Sequence, residues 1–187
     1  MIRLPEALAK KVRALAASIP DERIHDDADG EMGREDKPHV TVKYGLHTDD
    51  TDEVREKMET RWPIKARLGK ASIFDAPEYI VLKFEITGTA LRALNSFVCK
   101  NFKCTDTHPE YNPHATIAYL KKDPDNPDFW KEYASNELSG EEFEVDEVEW
   151  SPAGPERLMI PLAGENPAQR VDRLATRVAR RMCYEKR

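Results

Sequence analysis

Apolar positions along the chain change period several times, and each change predicts an element. Leu8, Val12, Leu15 and Ile19 recur at helical spacing, and Pro5 suits a first turn, so residues 5–19 predict an amphipathic helix. Residues 20–37, PDERIHDDADGEMGREDK, hold no period and two glycines. They predict a loop, long enough to serve as a functional flap or a disordered insert. Alternation at His39–Tyr44 predicts a strand, and residues 49–61 a helix with acids first and bases later. Residues 64–74 and 79–87 (YIVLKFEIT) read as two strands. Thr89 is a candidate cap for a helix over 90–102 that turns Leu91, Leu94 and Val98 inward. A loop with Pro109 and Pro113 leads to a strand at His114–Leu120, and residues 128–135 suggest a short helix. Strands near 142–150 and 157–162 form a predicted hairpin around Pro152, Gly154 and Pro155. Asn166 and Pro167 open a last helix, 167–183, striped by Val171, Leu174, Val178 and Met182. Short links between several strands favour an α+β fold with antiparallel sheets over a doubly wound parallel sheet.

Composition narrows this picture. With 187 residues and 40% hydrophobic content, the chain supports one core divided into two lobes. The expected organisation is a two-lobed domain over 1–165, with its N-terminal helix, followed by a basic amphipathic helix over 166–187. No apolar run reaches the length of a membrane span, and Lys10, Lys11 and Arg13 interrupt any signal-peptide pattern. Three cysteines, Cys99, Cys104 and Cys183, fit reduced thiols in a cytoplasmic setting. No CxxC or HExxH spacing supports zinc, so no metal or cofactor is expected. Residues 166–187 hold seven Lys/Arg against two Asp/Glu, so a total charge of −6 leaves −11 on the rest. Such a body repels duplex DNA, and a small phosphate ester in a local cleft is the better-matched partner. The chain is expected to act as a monomer, away from membranes.

The chemistry lies in an internal repeat. Residues 38–46 read PHVTVKYGL and residues 113–121 read PHATIAYLK, starting 75 residues apart. Pro, His, Thr and Tyr match in register. Side chains alternate across a strand, so His39, Thr41 and Lys43 share one face, and His114, Thr116 and Ala118 share the equivalent face of the second copy. If the strands are neighbours, two imidazoles and two hydroxyls converge on one cleft. A neutral imidazole can take a proton from a hydroxyl or water while a protonated one supplies a proton to a leaving oxygen. Each Thr hydroxyl can donate to a non-bridging phosphate oxygen. None of this requires a metal.

Blander readings compete at each position. A lone His beside Thr on a strand is ordinarily a satisfied core residue, but two matching copies weaken that reading. Strand parity assigns Tyr44 and Tyr119 to the apolar face as core aromatics. Lys43 has the parity to hold a phosphate, against the alternative of a solvated lysine. His25, His47 and His108 fall in loops outside the repeat and read as solvated surface.

PHVTVKYG and PHATIAYL resemble the paired H-x-[ST]-hydrophobic motifs of the 2H phosphoesterase superfamily, which includes LigT-like 2′-5′ RNA ligases, cyclic phosphodiesterases and phage anti-CBASS nucleases. The wording GREDKPHVTVKYGLHT is similar to the phage branch, which would place the protein in the bacterial host cytoplasm. The resemblance implies a bilobal fold with two antiparallel sheets related by a pseudo-twofold axis around a central cleft, helices outside. It implies acid/base roles for His39 and His114 and phosphate-binding roles for Thr41 and Thr116. An initial strand common in LigT-like members is not evident before residue 39. The substrates implied are a small 3′-5′-linked cyclic oligonucleotide or, alternatively, an RNA end bearing a 2′,3′-cyclic phosphate or a 2′-5′ link. A module that sequesters nucleotides without cleaving them is the non-enzymatic alternative.

Overall fold

The computed structural model describes residues 1–27, 32–105, 110–122, 127–152 and 156–165. The predicted helix over 167–183 and His108 lie outside the described residues. In chain order the elements are β1 (Ile2–Arg3), α1 (Glu6–Ala17), β2 (His39–Val40), α2 (Thr51–Glu59), β3 (Ile64–Asp75), β4 (Tyr79–Thr87), α3 (Thr89–Asn101), β5 (His114–Lys121), α4 (Pro127–Leu138), β6 (Glu142–Val145), β7 (Glu147–Trp150) and β8 (Leu158–Pro161). All strand pairing among them is antiparallel, so the α+β class expected from the short links is the observed one.

The first lobe is a four-stranded sheet in the order β5–β4–β3–β6. Ile80, Leu82, Phe84 and Ile86 of β4 alternate inward and are buried, with Leu68 of β3 and Ile117 of β5 beside them. Helices α1 and α4 cover this face, α1 with Leu8, Ala9, Val12, Leu15 and Ala16 buried. Along β4 the opposite face is half-buried or exposed throughout.

The second lobe draws its strands from both ends of the sequence. β1 pairs with β2, and β7 pairs with β8. Two backbone bonds join the halves: the Met1 amine donates to the Glu149 carbonyl at 2.6 Å, and the Glu149 N–H donates to the Met1 carbonyl at 2.8 Å. The resulting order β2–β1–β7–β8 repeats the plan of the first sheet. Val40, Ile2, Val148 and Ile160 are buried, and α2 packs on β8. Asp50 caps α2 through its side chain, which accepts from the Glu53 N–H at 2.9 Å.

Several expectations are corrected here. β1 exists ahead of residue 39, but two residues are too few to produce a period. The strand expected over 142–150 breaks at Asp146, so that β6 joins the first sheet and β7 the second. Gly88, not Thr89, occupies the capping position of α3: its φ is +136°, a conformation that favours glycine, and a Cβ there would lie 3.2 Å from the Lys65 carbonyl oxygen. The 20–37 segment is fastened rather than free at both described flanks. His25 N–H donates to the Tyr119 carbonyl, Tyr119 N–H to the Gly33 carbonyl and Glu35 N–H to the Ile117 carbonyl. Arg34 ties it back to the end of α1 through the carbonyls of Ala16 and Ile19.

Candidate active site

The two motif segments lie side by side, because β2 packs against β5. Each His is held in the same way. His39 Nδ1 sits 3.0 Å from the Lys37 carbonyl oxygen, and His114 Nδ1 sits 2.9 Å from the Asn112 carbonyl oxygen, in each case two residues upstream. A carbonyl can only accept, so each Nδ1 carries the proton. The neutral ring is therefore the Nδ1–H tautomer in both copies, with Nε2 as the basic nitrogen. His39 is half-buried, His114 exposed, Thr41 exposed and Thr116 half-buried.

Helix α3 and Tyr111 lock the two segments to each other. Tyr111, three residues before His114, donates its hydroxyl to the Thr41 carbonyl at 3.0 Å. Arg92 donates to the Tyr111 carbonyl at 2.8 Å, and Asn95 to the Val42 carbonyl at 2.7 Å. Arg92 and Asn95 are one helical turn apart, so one face of α3 grips both motifs. Burial of Tyr111 pushes its phenol well above the ordinary range, opposed by the nearby Arg92 charge, and keeps it a donor.

These side-chain bonds also explain why β2 is short. Strand pairing stops at Val40, not at Tyr44 as expected, because the carbonyls of Thr41 and Val42 are taken by Tyr111 and Asn95 instead of a neighbouring strand. The chain then turns at Gly45, whose φ is +67°. Tyr44 is consequently 74% exposed and not a core aromatic. Lys43, half-buried, lies past the paired stretch and borders a cavity lined by Val42, Val54, Met58, Phe102 and Trp150.

The second copy departs from simple alternation through a bulge. Thr116 pairs with Lys83 but Ala118 pairs with Leu82, leaving Ile117 as the extra residue. Parity flips beyond it. Ala118, expected on the His/Thr face, is fully buried, and Tyr119, expected in the core, emerges half-buried on the His/Thr face.

A family model described as the 2′-5′ RNA ligase superfamily matches residues 4–150. The chain belongs to this superfamily. Membership ties it to the cleavage or joining of phosphodiester bonds, the chemistry that paired HxT motifs suit. No curated protein sequence is a significant match. Among solved structures, TT0787 of Thermus thermophilus is 16% identical with a TM-score of 0.55, over 88% of this chain and 97% of that one. Usb1 of Kluyveromyces marxianus, solved with uridine monophosphate, is 15% identical with a TM-score of 0.48, over 86% and 95%. A structure described as a phosphoesterase is 16% identical with a TM-score of 0.48, over 86% and 92%. At these identities the likeness to TT0787 speaks for the fold alone, and it agrees with the two-sheet architecture.

On this superfamily fold, residues that sequence parity did not reveal share the motif face. Cross-strand partners on one face place Glu85 beside His114, Lys83 and Ser72 beside Thr116, and Val81 and Phe74 beside Tyr119. Arg3 of β1 is the partner of His39, and its guanidinium is held by Glu149. Glu149 is the buried carboxylate of the second lobe, only 3% exposed; Arg157 approaches its other oxygen at 3.6 Å. The YIVLKFEIT alternation did carry a signal for Tyr79, Val81, Lys83 and Glu85 as one face, but nothing local said that this face meets the HxT strands. His25 is not solvated surface: its ring lies 5.2 Å from that of Tyr79. His47 is exposed, with Nε2 2.7 Å from Thr105 Oγ1. Cys99 is exposed and Cys104 half-buried. Among the described residues, no group of three or more His, Cys, Asp or Glu could hold a metal ion, and no helix is long and apolar enough to cross a membrane.

Proposed function

We propose that the chain is a metal-independent phosphodiesterase in which His39 and His114 are the acid/base pair and Thr41 and Thr116 bind the phosphate, with Lys43 as a further contact. The observation that carries this reading is the matched anchoring of the two imidazoles, each with Nδ1–H on a carbonyl two residues upstream and Nε2 as the proton-transfer atom. A fixed tautomer on adjacent strands is what a two-histidine mechanism needs. The substrate favoured by the phage-like wording around the first motif is a small cyclic oligonucleotide with 3′-5′ linkages. A cytoplasmic setting fits the sparse cysteines.

The chemistry runs in two steps. One neutral imidazole removes the proton of a ribose 2′-OH, whose oxygen attacks the adjacent phosphorus. The bond from phosphorus to the 5′ oxygen breaks, and the other imidazole, protonated, gives that oxygen its proton. A 2′,3′-cyclic phosphate and a 5′-hydroxyl result. Water can open the cyclic phosphate with the imidazole roles exchanged. Thr41 and Thr116 hydroxyls donate to the non-bridging oxygens as charge builds on them.

A second reading, action on RNA ends carrying a 2′,3′-cyclic phosphate or a 2′-5′ link, is favoured by the description of the superfamily itself. Both use the same four residues. A panel of cyclic dinucleotides, cyclic trinucleotides and short RNA ends, analysed by product chromatography, separates them. The cyclic-nucleotide reading expects turnover of the cyclic compounds and fails if only RNA ends react. Lack of turnover on every member, with the substrate bound intact, would leave a sequestering module.

A further inference from the structure

Strand β1 brings one cation to the first motif, and the direction in which it leans is informative. Arg3 is the cross-strand partner of His39. One residue along, the Leu4 N–H donates to the Pro38 carbonyl at 3.0 Å, so Arg3 and His39 form the non-hydrogen-bonded class of pair, whose side chains lie closer. On the other side of β1, Met1 and Glu149 exchange backbone bonds and are directly opposed, which puts Glu147 opposite Arg3. Glu147 is exposed and makes no ion pair among the described residues. Arg3 instead reaches past it to Glu149, whose carboxylate takes the Nε–H. Because β1 and β2 run antiparallel, this lean towards Met1 carries the guanidinium from the His39 row towards Thr41. Pairing through Nε leaves both Nη groups of Arg3 without a partner among the described residues, on a side chain 42% exposed. The first lobe shows what stands at the matching place. Glu85 of β4 corresponds to Arg3, each being the partner of a motif His, so Lys83, opposite Thr116, corresponds to Met1. Strand β1 has no cationic side chain there, and the Arg3 guanidinium is drawn to that place from the neighbouring row.

We propose that Arg3 is a phosphate-binding residue on the Thr41 side of the cleft, and that Glu149 is its positioning residue. The assignment rests on the phosphodiesterase reading for where the phosphate sits. A guanidinium can meet both demands at once: its Nε–H goes to the carboxylate, and its two Nη groups still present a fork to phosphate oxygens. Glu149 is buried on a strand paired to β8 on one side and bonded to Met1 on the other. The guanidinium is therefore held in place before an anion arrives, and less freedom is lost on binding. One carboxylate does not neutralise the place, because Arg157 approaches its other oxygen at 3.6 Å. Two guanidinium groups on one buried carboxylate leave positive charge beside His39, while the exposed Glu147 is screened by solvent. An ion pair serving the sheet alone would be satisfied by Glu147, the acid directly opposite Arg3. Choosing the buried acid one row away aims the cation at the motif.

Titration of the full chain with inorganic phosphate at fixed pH, followed by the imidazole resonances of His39, tests this. His39 reports an anion bound beside it and not one taken up elsewhere on the chain. Arg3→Gln should weaken phosphate roughly 10-fold, the loss of a charge-assisted pair on a part-exposed side chain. Glu149→Gln keeps the cation but loosens its anchor. It should weaken phosphate several-fold and add nothing in the Arg3→Gln background, whereas a merely structural Glu149 would lower Tm and leave phosphate affinity alone. Removing Arg3 by itself orphans a buried carboxylate. Should that variant fail to fold, the double variant Arg3→Gln/Glu149→Gln, in which both charges are gone, reads the same loss. Unchanged phosphate affinity in the double variant, or no response of His39 to phosphate in the unaltered chain, overturns the proposal. Inorganic phosphate is not turned over, so the outcome is independent of cleavage. Arg3-dependent binding without turnover of any phosphodiester would sink the phosphodiesterase reading alone, and turnover with Arg3-independent phosphate binding would sink this assignment alone.

Discussion

Tyr111→Phe removes one hydroxyl and nothing else, and that hydroxyl is the bond between the two motif segments. Its 3.0 Å contact with the Thr41 carbonyl is the part of the ring's environment that changes. A net hydrogen bond contributes about 0.5–1.5 kcal/mol, and a fully buried orphan acceptor costs more. Thr41 is exposed, so water can reach its carbonyl, and the expected loss is about 1 kcal/mol. For a chain of this size that lowers Tm by roughly 2–4 °C. The effect on turnover should be larger than stability can explain, because the released carbonyl belongs to Thr41, whose hydroxyl is proposed to bind phosphate. We expect kcat to fall roughly 10-fold, since misplacing a catalytic group by about an ångström can cost 100-fold. KM should change little. Circular dichroism melting and initial rates at about 25 °C, where both proteins are folded, measure the two effects separately. Turnover within about twofold of the unaltered chain, with the expected drop in Tm, would make Tyr111 structural only. The same variant has an alkaline signature. The Tyr111 phenol is raised by burial, so its stabilisation is complete below the unfolded value of 10.0 and declines as pH rises above it. Tyr111→Phe should flatten that decline, and an unaltered slope would argue against the buried phenol.

His39→Ala and His114→Ala should each lower turnover by roughly 100-fold or more with folding intact, and the double variant should lose much less than the product of the two effects; near-normal turnover in either single variant sinks the assignment. Activity should persist in EDTA with a bell-shaped pH dependence, and loss on chelation reversed by a divalent ion would require a different mechanism. A 2′-deoxy sugar at the scissile linkage should bind yet resist cleavage; equal cleavage of ribo and deoxy linkages would favour direct attack by water. Removing residues 166–187 should leave KM for a short substrate unchanged. A raised KM reproduced by Arg→Gln at Arg170, Arg173, Arg177, Arg180 and Arg181 would instead make that segment a phosphate clamp.

What the sequence made legible follows from the range over which each signal acts. Helices α1, α2 and α3 and strands β3 and β4 are long enough for a period to show, and their observed bounds fall within a few residues of the expected ones. The HxT repeat was visible because its chemistry is written twice in one register. The hairpin of β7 and β8 was legible as well, but the joining of the second sheet was not, since β1 and β2 are two residues each and the sheet closes between Met1 and Glu149. No local pattern encodes that meeting, which is decided by burial of Ile2, Val40, Val148 and Ile160 together.

The misreading of Tyr119 shows where strand parity stops being a safe guide. Ala115, Thr116 and Ile117 alternate as expected, but Ile117 and Ala118 are both buried, and an apolar pair in sequence is the one local trace of the bulge. A run of Ile-Ala in a strand is equally compatible with a strand buried on both faces, so the trace becomes informative only once the partner strand is known. Lys83, opposite Thr116, and Leu82, opposite Ala118, supply it: their own alternation is unbroken, which forces the irregularity onto β5. The same comparison separates the two tyrosines that the repeat had paired. Tyr119 is turned by a bulge onto the motif face, whereas Tyr44 lies beyond the end of pairing and is exposed. The repeat therefore encodes equivalence for the two His, whose backbone anchors match atom for atom, and not for Tyr, whose positions diverge as soon as the two strands do.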